Sequence, residues 1–258
     1  MIIIKAILRG LFVSQLPIRT DVVVPLYRER PTLARLASEL APVLADLPAA
    51  TVLLVDDGSG DGTREFSEQL IADGAFGSRA QLLCHRRNLG LAAALRTAFL
   101  AGSGELVCWL DADLSYDPRI LVSLVDEVVA GADVALASAY HPDGSVEGVP
   151  TGRLWLSRGL SRAYRLLRSG KPYTYSCMVR AWRRTCLARC LPRREGHVGV
   201  TESLLLAQQH GFRVTEVAAT LRGRSGGSSG LRLVPSVLEH VRLLEDATLG
   251  RLAEGAER

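Results

Sequence analysis

The chain has 258 residues, of which 48% are hydrophobic, and its 31 basic and 27 acidic side chains leave a formal net charge of +4. This length and apolar content suit one folded α/β domain and exclude a disordered chain. The net charge is too small to indicate nucleic-acid binding by itself, and we expect none.

The N-terminal stretch from Met1 to Val13 is apolar but is interrupted by Lys5 and Arg9. It is too short to span a bilayer, and it lacks the small-residue cleavage site of a secretory signal. We therefore interpret residues 1–20 as an N-terminal extension. The five cysteines show no paired spacing, which favours a reduced, cytoplasmic setting.

Strands and helices alternate over the first half of the chain. The predicted strands are Asp21–Pro25, Thr51–Val55, Gln81–Cys84, Leu106–Leu110 and Asp133–Ser138. The predicted helices begin near Pro31, Thr63, Asn88 and Pro118. In the first of them, Pro42 is expected to cause a kink or a break. Short apolar strands that alternate with helices predict a mostly parallel central sheet flanked by helices.

After residue 138 the alternation becomes less regular. The predicted elements are a loop at 141–150, a helix at Arg153–Leu167, a strand at Tyr173–Met178, a helix at Glu202–His210, a strand at Phe212–Val217 and a helix at Leu233–Leu249. The last helix is amphipathic, a pattern that fits either core packing or contact with a membrane surface. Because no linker divides the chain, we predict one domain over residues 21–232, followed by a C-terminal helix and tail at 233–258.

The apolar run Leu106–Leu110 ends in Asp111-Ala112-Asp113. A buried parallel strand delivers the residues that follow it to the carboxyl edge of the sheet, where ligands bind in open α/β folds. Two carboxylates one residue apart can turn toward one point and bind a hard divalent cation together with substrate phosphates. The alternative is that Asp113 caps the next helix.

The turn Asp56–Thr63 also follows a predicted strand and is rich in aspartate and glycine. It has neither the glycine pattern of a dinucleotide-binding fold nor the lysine of a P-loop. Its carboxylates could hold ribose hydroxyls or the edge of a base, or they could simply form a strand-to-helix turn.

Six stretches share their order and spacing with a known family. They are Val22–Glu29, Leu54–Thr63, Asn88–Gly90, Asp111–Ser115, Gly144–Gly148 with Arg153 and Ser157–Gly159, and Arg224–Ser229. Each motif alone is weak, but in combination the chain resembles glycosyltransferase family 2, in the branch similar to dolichyl-phosphate mannose synthase. The resemblance extends from Asp21 to Ser229.

The resemblance implies a GT-A fold of the nucleotide-diphospho-sugar transferase type and an inverting hexosyltransferase that uses Mg²⁺ or Mn²⁺. The implied nucleotide-sugar site consists of Pro25, Tyr27, Glu29, Val55, Asp57, Asp111, Ala112, Asp113 and Arg224. Within it, Asp111 and Asp113 would hold the metal, and Arg224 would reach the donor phosphates. The implied catalytic residues are Asp113, Glu202 and Arg224.

The resemblance also implies a polyprenyl-phosphate acceptor, which Arg153 and Ser157 would face. A phosphate acceptor is anionic near pH 7 and needs no base, whereas a hydroxyl acceptor would need one, and Glu202 is the candidate. A small hydroxylated acceptor and a non-catalytic nucleotide-sugar-binding protein are the alternative functions. No apolar stretch is long enough for a membrane span, so contact with the membrane would be peripheral.

Three positions depart from the family pattern. Arg28 stands where an asparagine is usual, Ala139 where an arginine is expected, and Gly230 where a lysine is usual. The last two substitutions remove cations from the phosphate region. Arg153, Arg158 or Arg222 could replace them.

Overall fold

The structure is a computed structural model that describes residues 17–168, 172–223 and 233–252. Several predicted features lie outside the described residues, namely positions 1–16 of the extension, Arg224 and Gly230 in the basic loop, and the tail from 253 onwards. The other predicted elements can be compared with the structure directly.

A seven-stranded sheet forms the centre of the molecule, in the order β3-β2-β1-β4-β7-β5-β8. The strands are β1 Thr20–Leu26, β2 Ala50–Asp56, β3 Ala80–Cys84, β4 Leu106–Trp109, β5 Val134–Ser138, β7 Arg180–Arg183 and β8 Val214–Ala218. Two short strands, β6 Ser145–Glu147 and β9 Thr220–Arg222, pair in parallel beside it. All neighbours in the large sheet are parallel except β7, which runs antiparallel to both β4 and β5. The prediction of a mostly parallel sheet is confirmed.

Helices cover both faces of this sheet. They are α1 Leu33–Asp46, α2 Thr63–Ala72, α3 Leu91–Ala101, α4 Ile120–Val129, α5 Thr151–Leu167, α6 Arg184–Cys190, α7 Gly196–Gln209 and α8 Leu233–Thr248. Apolar residues of α1 and α4 pack on one face, and those of α3, α7 and α8 pack on the other. Since β1, β2 and β4 are parallel, their carboxyl ends meet at one edge of the sheet. This edge carries Asp57 and the pair Asp111 and Asp113, whereas the predicted residues Arg153 and Ser157 lie in α5 and Glu202 lies in α7.

The predicted strand Tyr173–Met178 is wrong, because the strand of this region is β7, which begins at Arg180. Aromatic and β-branched residues favoured a strand at 173–178. Instead, the segment is a loop in which the Glu216 carboxylate accepts hydrogen bonds from the N–H groups of Tyr173 (2.7 Å) and Thr174 (3.2 Å). A side chain from β8 thus replaces the ladder hydrogen bonds that the prediction assumed.

Two helix predictions also need correction. Helix α7 begins at Gly196, six residues before Glu202, so Glu202 lies well inside the helix. Helix α1 continues through Pro42 to Asp46 without the predicted break. Pro42 lies on the exposed side of that helix, where the carbonyl group that loses its partner can bond to water.

Among the helices of the described residues, none combines the length and the apolar content that crossing a bilayer requires.

Candidate active site

The carboxylate pair follows β4, whose four residues are all buried. Asp111 and Asp113 are partly exposed, whereas Ala112 between them and Leu114 after them are buried. Leu114 has a φ of +55°, a left-handed conformation that is unusual for a bulky residue. The Ser115 N–H then donates to Oδ1 of Asp113 at 2.9 Å. The buried Leu114 side chain therefore holds a turn that presents both carboxylates on the same edge of the sheet.

Asp111 and Asp113 line a cavity of about 400 Å³. Six residues with hydroxyl groups line this cavity, namely Ser115, Tyr116, Tyr140, Ser157, Thr174 and Ser176. Apolar side chains also line it, including Leu154 and Leu160 of α5, Met178, and Val237 of α8. The same cavity is therefore lined by the carboxylate pair, by hydroxyl groups and by apolar side chains of α5 and α8.

The strands β6 and β9 form a cover on this cavity. The N–H of Arg222 donates to the Ser115 carbonyl at 2.8 Å, and the N–H of Gly223 donates to the Glu147 carbonyl at 2.8 Å. A Cβ atom on Gly223 would lie 2.2 Å from the Gly148 carbonyl oxygen, so the two backbones touch. The cover is thus fixed to the carboxylate turn, and the chain leaves it toward Arg224, outside the described residues.

Asp57 directly follows β2 at the same edge and is buried. Its carboxylate accepts hydrogen bonds from Nδ1 of His85 (2.7 Å) and from the N–H groups of Leu89 and Gly90 (both 2.8 Å). A carboxylate has about four acceptor positions, so three of them are occupied. Asp57 therefore positions the segment before α3 and keeps one acceptor position for a ligand.

Asp56 organises the turn that follows β2. Its carboxylate accepts hydrogen bonds from the Ser59 N–H and hydroxyl, and Ser59 Oγ in turn accepts one from the Arg28 N–H at 2.9 Å. Arg28 has a φ of +58°. Asparagine tolerates this left-handed conformation better than most residues with a side chain. This backbone conformation explains why asparagine is usual at this position in the family. Arg28 instead places its guanidinium 5.3 Å from the centre of the Tyr27 ring.

The other predicted nucleotide-site residues lie at the carboxyl ends of β1 and β2. Tyr27 exposes 43% of its surface, and Pro25 is partly buried. Glu29 is tied to the neighbouring turn, because its N–H donates to Thr63 Oγ1 at 3.0 Å. The Val55 side chain is fully buried, so only its backbone could contact a nucleoside.

On the acceptor side, Ser157 lines the cavity and its hydroxyl lies 3.0 Å from that of Ser176. Arg153 is on the first turn of α5, but its side chain is outside what the structure describes. Ala139 is buried, leaving no room for an arginine unless the packing changes. The Arg158 guanidinium lies 5.3 Å from the centre of the Tyr140 ring, at the rim of the cavity. Arg158 is therefore beside Tyr140, the residue that follows Ala139, and Arg222 lines the cavity.

Glu202 is buried and is absent from the described cavity wall. Its carboxylate accepts hydrogen bonds from the N–H groups of Arg193 (2.8 Å) and Arg194 (2.9 Å), and it pairs with the Arg194 side chain at 3.6 Å. In this arrangement Glu202 fastens the segment before α7. Its role as a base stays a prediction, and the geometry does not favour it.

Two histidines that the sequence analysis did not identify, His197 and His240, line the inner part of the cavity. The Tyr164 hydroxyl lies 3.0 Å from Nδ1 of His240 and donates to the His240 carbonyl at 3.0 Å. Burial, with a smaller effect of His197, lowers the pKa of His240 to about 4. Because α7 and α8 are far apart in the sequence, no local motif indicated this pair. His240 is therefore neutral near pH 7.

The donor set at Asp111 and Asp113 fits Mg²⁺ or Mn²⁺. These ions take oxygen ligands and are commonly bound by one or two carboxylates, with substrate phosphates completing the coordination. Within the described residues, no group of three or more His, Cys, Asp and Glu side chains forms a complete metal cage. The pair therefore suits an ion that is held jointly by the protein and a diphosphate.

Comparisons with known proteins show which sequences and folds this chain is similar to. The family model described as Glycosyl transferase family 2 matches residues 21–190. A polyprenol monophosphomannose synthase of Mycolicibacterium smegmatis is 32% identical over 217 residues, which cover 82% of this chain and 80% of that protein. A dolichol-phosphate mannosyltransferase of Pyrococcus furiosus is 30% identical over 141 residues, which cover 55% of this chain and 39% of that protein.

Among solved structures, a glucosyl-3-phosphoglycerate synthase of Mycobacterium tuberculosis in complex with Mn²⁺, UDP and phosphoglyceric acid superimposes with a TM-score of 0.66. The match covers 91% of this chain and 78% of that chain, at 20% sequence identity. At this identity the similarity concerns the fold alone.

Proposed function

Because this chain belongs to glycosyl transferase family 2 and has the predicted GT-A fold, we propose that it transfers a sugar from a nucleotide-sugar donor to a polyprenyl phosphate with inversion. The names of its relatives support a lipid-phosphate acceptor. The observation that carries the proposal is that one cavity is lined both by the carboxylate pair and by apolar side chains of α5 and α8. A polyprenyl phosphate has the same two parts, an anionic end and an apolar chain.

Asp111 and Asp113 would hold Mg²⁺ or Mn²⁺, which, when bound, neutralises the charge of the donor diphosphate. Tyr27, at the exposed carboxyl end of β1, would contact the nucleoside. Asp57 would accept a hydrogen bond from the nucleoside with the acceptor position that remains. Arg224, in the loop after β9, would add positive charge at the donor phosphates.

The acceptor phosphate would enter the hydroxyl-lined part of the cavity. Ser157, Thr174 and Ser176 offer O–H donors there. Arg158 at the rim supplies a positive charge. Because a phosphate monoester is ionised near pH 7, its oxygen can attack the sugar carbon without a base. This agrees with a Glu202 whose carboxylate is occupied by Arg193 and Arg194.

The proposed partner on the outside is an anionic membrane surface. Helix α5 contains four arginines and no acidic residue between Thr151 and Leu167. It exposes Trp155 and Leu166 by 73% and 87%, and the neighbouring α8 exposes Leu238 by 57%. Since apolar side chains of these two helices also line the cavity, a lipid chain could pass from the site directly to the bilayer.

The direct test offers the purified chain a panel of radiolabelled nucleotide sugars with Mn²⁺, together with either farnesyl phosphate or farnesol. We expect a labelled lipid product from farnesyl phosphate alone. Asp113→Asn should abolish it, whereas Asp117→Asn, which changes an exposed carboxylate that accepts a hydrogen bond from the Arg119 N–H before α4, should preserve it. Transfer to farnesol but not to farnesyl phosphate would refute the acceptor assignment.

Membrane contact is tested separately with liposomes that contain anionic lipids. The wild type should sediment with them and be released by salt, because surface attraction is screened within about 10 Å at roughly 0.1 M salt. Trp155→Ser with Leu166→Ser should reduce this binding. Leu100→Ser is the matched control, since Leu100 is 81% exposed on α3. If the double variant and Leu100→Ser lose liposome binding equally, the proposal that α5 contacts the membrane is contradicted.

A further inference from the structure

Arg180 is a charged residue whose side chain is fully buried in the molecule. Its Nη1 donates to the Val200 carbonyl at 2.6 Å, and its Nη2 donates to the Tyr175 carbonyl at 2.7 Å. Its Nε has no hydrogen-bond partner. Within residues 17–168, 172–223 and 233–252, no carboxylate lies within ion-pair distance of the guanidinium. The guanidinium carbon lies 5.8 Å from the centre of the Trp182 ring, a cation–π contact that offsets only part of the cost of burying the charge. Buried charges in proteins are normally paired with an opposite charge, so a buried cation without a described carboxylate requires an explanation.

The cation persists at neutral pH. Burial lowers the pKa of Arg180 to about 10, which still leaves the guanidinium protonated. The neighbouring thiol cannot neutralise it, because burial raises the pKa of Cys177 to about 12. Two indole N–H groups close by in the sheet, those of Trp109 and Trp182, also lack partners. The surroundings are therefore poor in hydrogen-bond acceptors, and the field of the charge is weakly screened.

Arg180 lies directly behind the wall of the cavity. It is the first residue of β7, and its position in the sheet is opposite Trp109 of β4. Side chains alternate along a strand, so Asp111 continues the face of Trp109. A strand spacing of about 4.8 Å and a rise of about 3.3 Å per residue put the Cα atoms of Arg180 and Asp111 roughly 8 Å apart. Cys177, which lines the cavity, experiences the charges of both residues.

We propose that Arg180 stabilises the negative charge of the donor diphosphate from behind the cavity wall, without touching it. The inference rests on the proposed function, because it needs an anion beside Asp111 and Asp113. A bound diphosphate supplies the opposite charge that Arg180 lacks in the described residues. The charge is in place before the donor arrives and needs no reorganisation, which is the condition for effective electrostatic stabilisation.

The competing explanation is structural, in which Arg180 merely holds the carbonyl groups of Tyr175 and Val200. Substitutions separate the two. Arg180→Met removes the charge at similar length, and buried ionic residues often tolerate apolar replacements. Arg180→Gln is a second neutral variant in case the first does not fold, and Arg180→Lys keeps the charge. Arg183→Met is the matched control, because Arg183 also donates to a backbone carbonyl but lies at the other end of β7.

The experiment measures binding of UDP and GDP in the presence of Mn²⁺, and of uridine and guanosine by competition, for every variant that melts cooperatively. For the nucleotide that the wild type prefers, we expect both neutral variants to bind the diphosphate about 10- to 100-fold more weakly. This is the size that Coulomb's law gives for unit charges about 6 to 10 Å apart at an effective dielectric constant of about 20, a separation that suits a charge acting through the wall without contact. Nucleoside binding should change less than about twofold, and Arg180→Lys and Arg183→Met should resemble the wild type.

Equal losses for nucleoside and diphosphate would show a structural role and overturn the inference. Unchanged diphosphate binding in a folded neutral variant would overturn it as well, while leaving the proposed function intact. A wild type that binds neither UDP nor GDP with Mn²⁺ would instead refute the proposed function, and the inference with it.

Discussion

Replacing Leu114 tests how the carboxylate turn is held. Leu114→Ala keeps the left-handed backbone, with its φ of +55°, and removes a side chain that is 95% buried. Truncating a buried leucine to alanine typically costs about 2–5 kcal/mol of unfolding free energy. The left-handed conformation costs a residue with a Cβ about 1–2 kcal/mol, whereas glycine adopts it freely. Leu114→Gly should therefore be more stable than Leu114→Ala by about 1 kcal/mol.

The neighbouring Leu110 provides the control, because it is also fully buried but has no left-handed backbone. There, glycine should be less stable than alanine by about 0.5–1 kcal/mol, the usual order. Urea unfolding of the four variants measures both differences. At Leu114, the glycine variant could instead prove less stable than the alanine variant, by the same margin as at Leu110. That result would show that the backbone at Leu114 is not strained, contrary to its φ angle.

Three further predictions concern the rest of the site. Asp57→Asn should raise the KM for the donor with little change in kcat, because Asp57 is assigned to the nucleoside; steady-state kinetics measure this, and a loss confined to kcat would move Asp57 to the reacting carbon. Gly223→Ala should abolish transfer, since its Cβ would lie 2.2 Å from the Gly148 carbonyl oxygen; Gly211→Ala has open space and a φ of +74°, so it should lower stability by about 1–2 kcal/mol but leave turnover near that of the wild type. Finally, the pKa of His240 is lowered to about 4 in the folded protein, whereas a histidine in the unfolded chain has its ordinary pKa near 6.5. Between these two pH values the unfolded chain therefore binds more protons than the folded protein. Stability should fall by roughly 3 kcal/mol as the pH drops through this window, and His240→Gln should show a flatter denaturation profile; equal pH slopes in both proteins would refute the assignment.

The sequence was most informative where a strand and its following turn act together. The apolar run before Asp111 predicted a buried strand, and parallel pairing then fixes the edge at which the carboxylates emerge. The role of Asp57, which directly follows β2, came from the resemblance to the family. What the sequence could not predict is that most of its carboxylate is used internally, by His85 and two backbone N–H groups, because these partners come from another strand end.

The other features that the sequence did not predict have a shared physical cause, which is contact between segments that are distant in the sequence. Residues 173–178 have strand composition, but the Glu216 carboxylate satisfies their N–H groups. Glu202 occupies an acidic family position, but the segment at 193–194 surrounds it. His240 and Arg180 carry no local signature at all. Their chemistry arises only when α8 and β7 pack against the rest of the molecule.

The insertion of β7 also has a consequence for how the chain folds. In the described sheet β4 and β5 are not neighbours, and β7 occupies the place between them. The order β3-β2-β1-β4 can therefore assemble from the first part of the chain, but β5 cannot join it until Arg180–Arg183 has arrived. The segment between β4 and β7 forms a long loop, and closing it is slow because its conformational entropy must be lost before the strand contacts form. During synthesis on the ribosome, we expect β4 to present an unpaired edge until β7 emerges, so this edge is the place where a chaperone would bind.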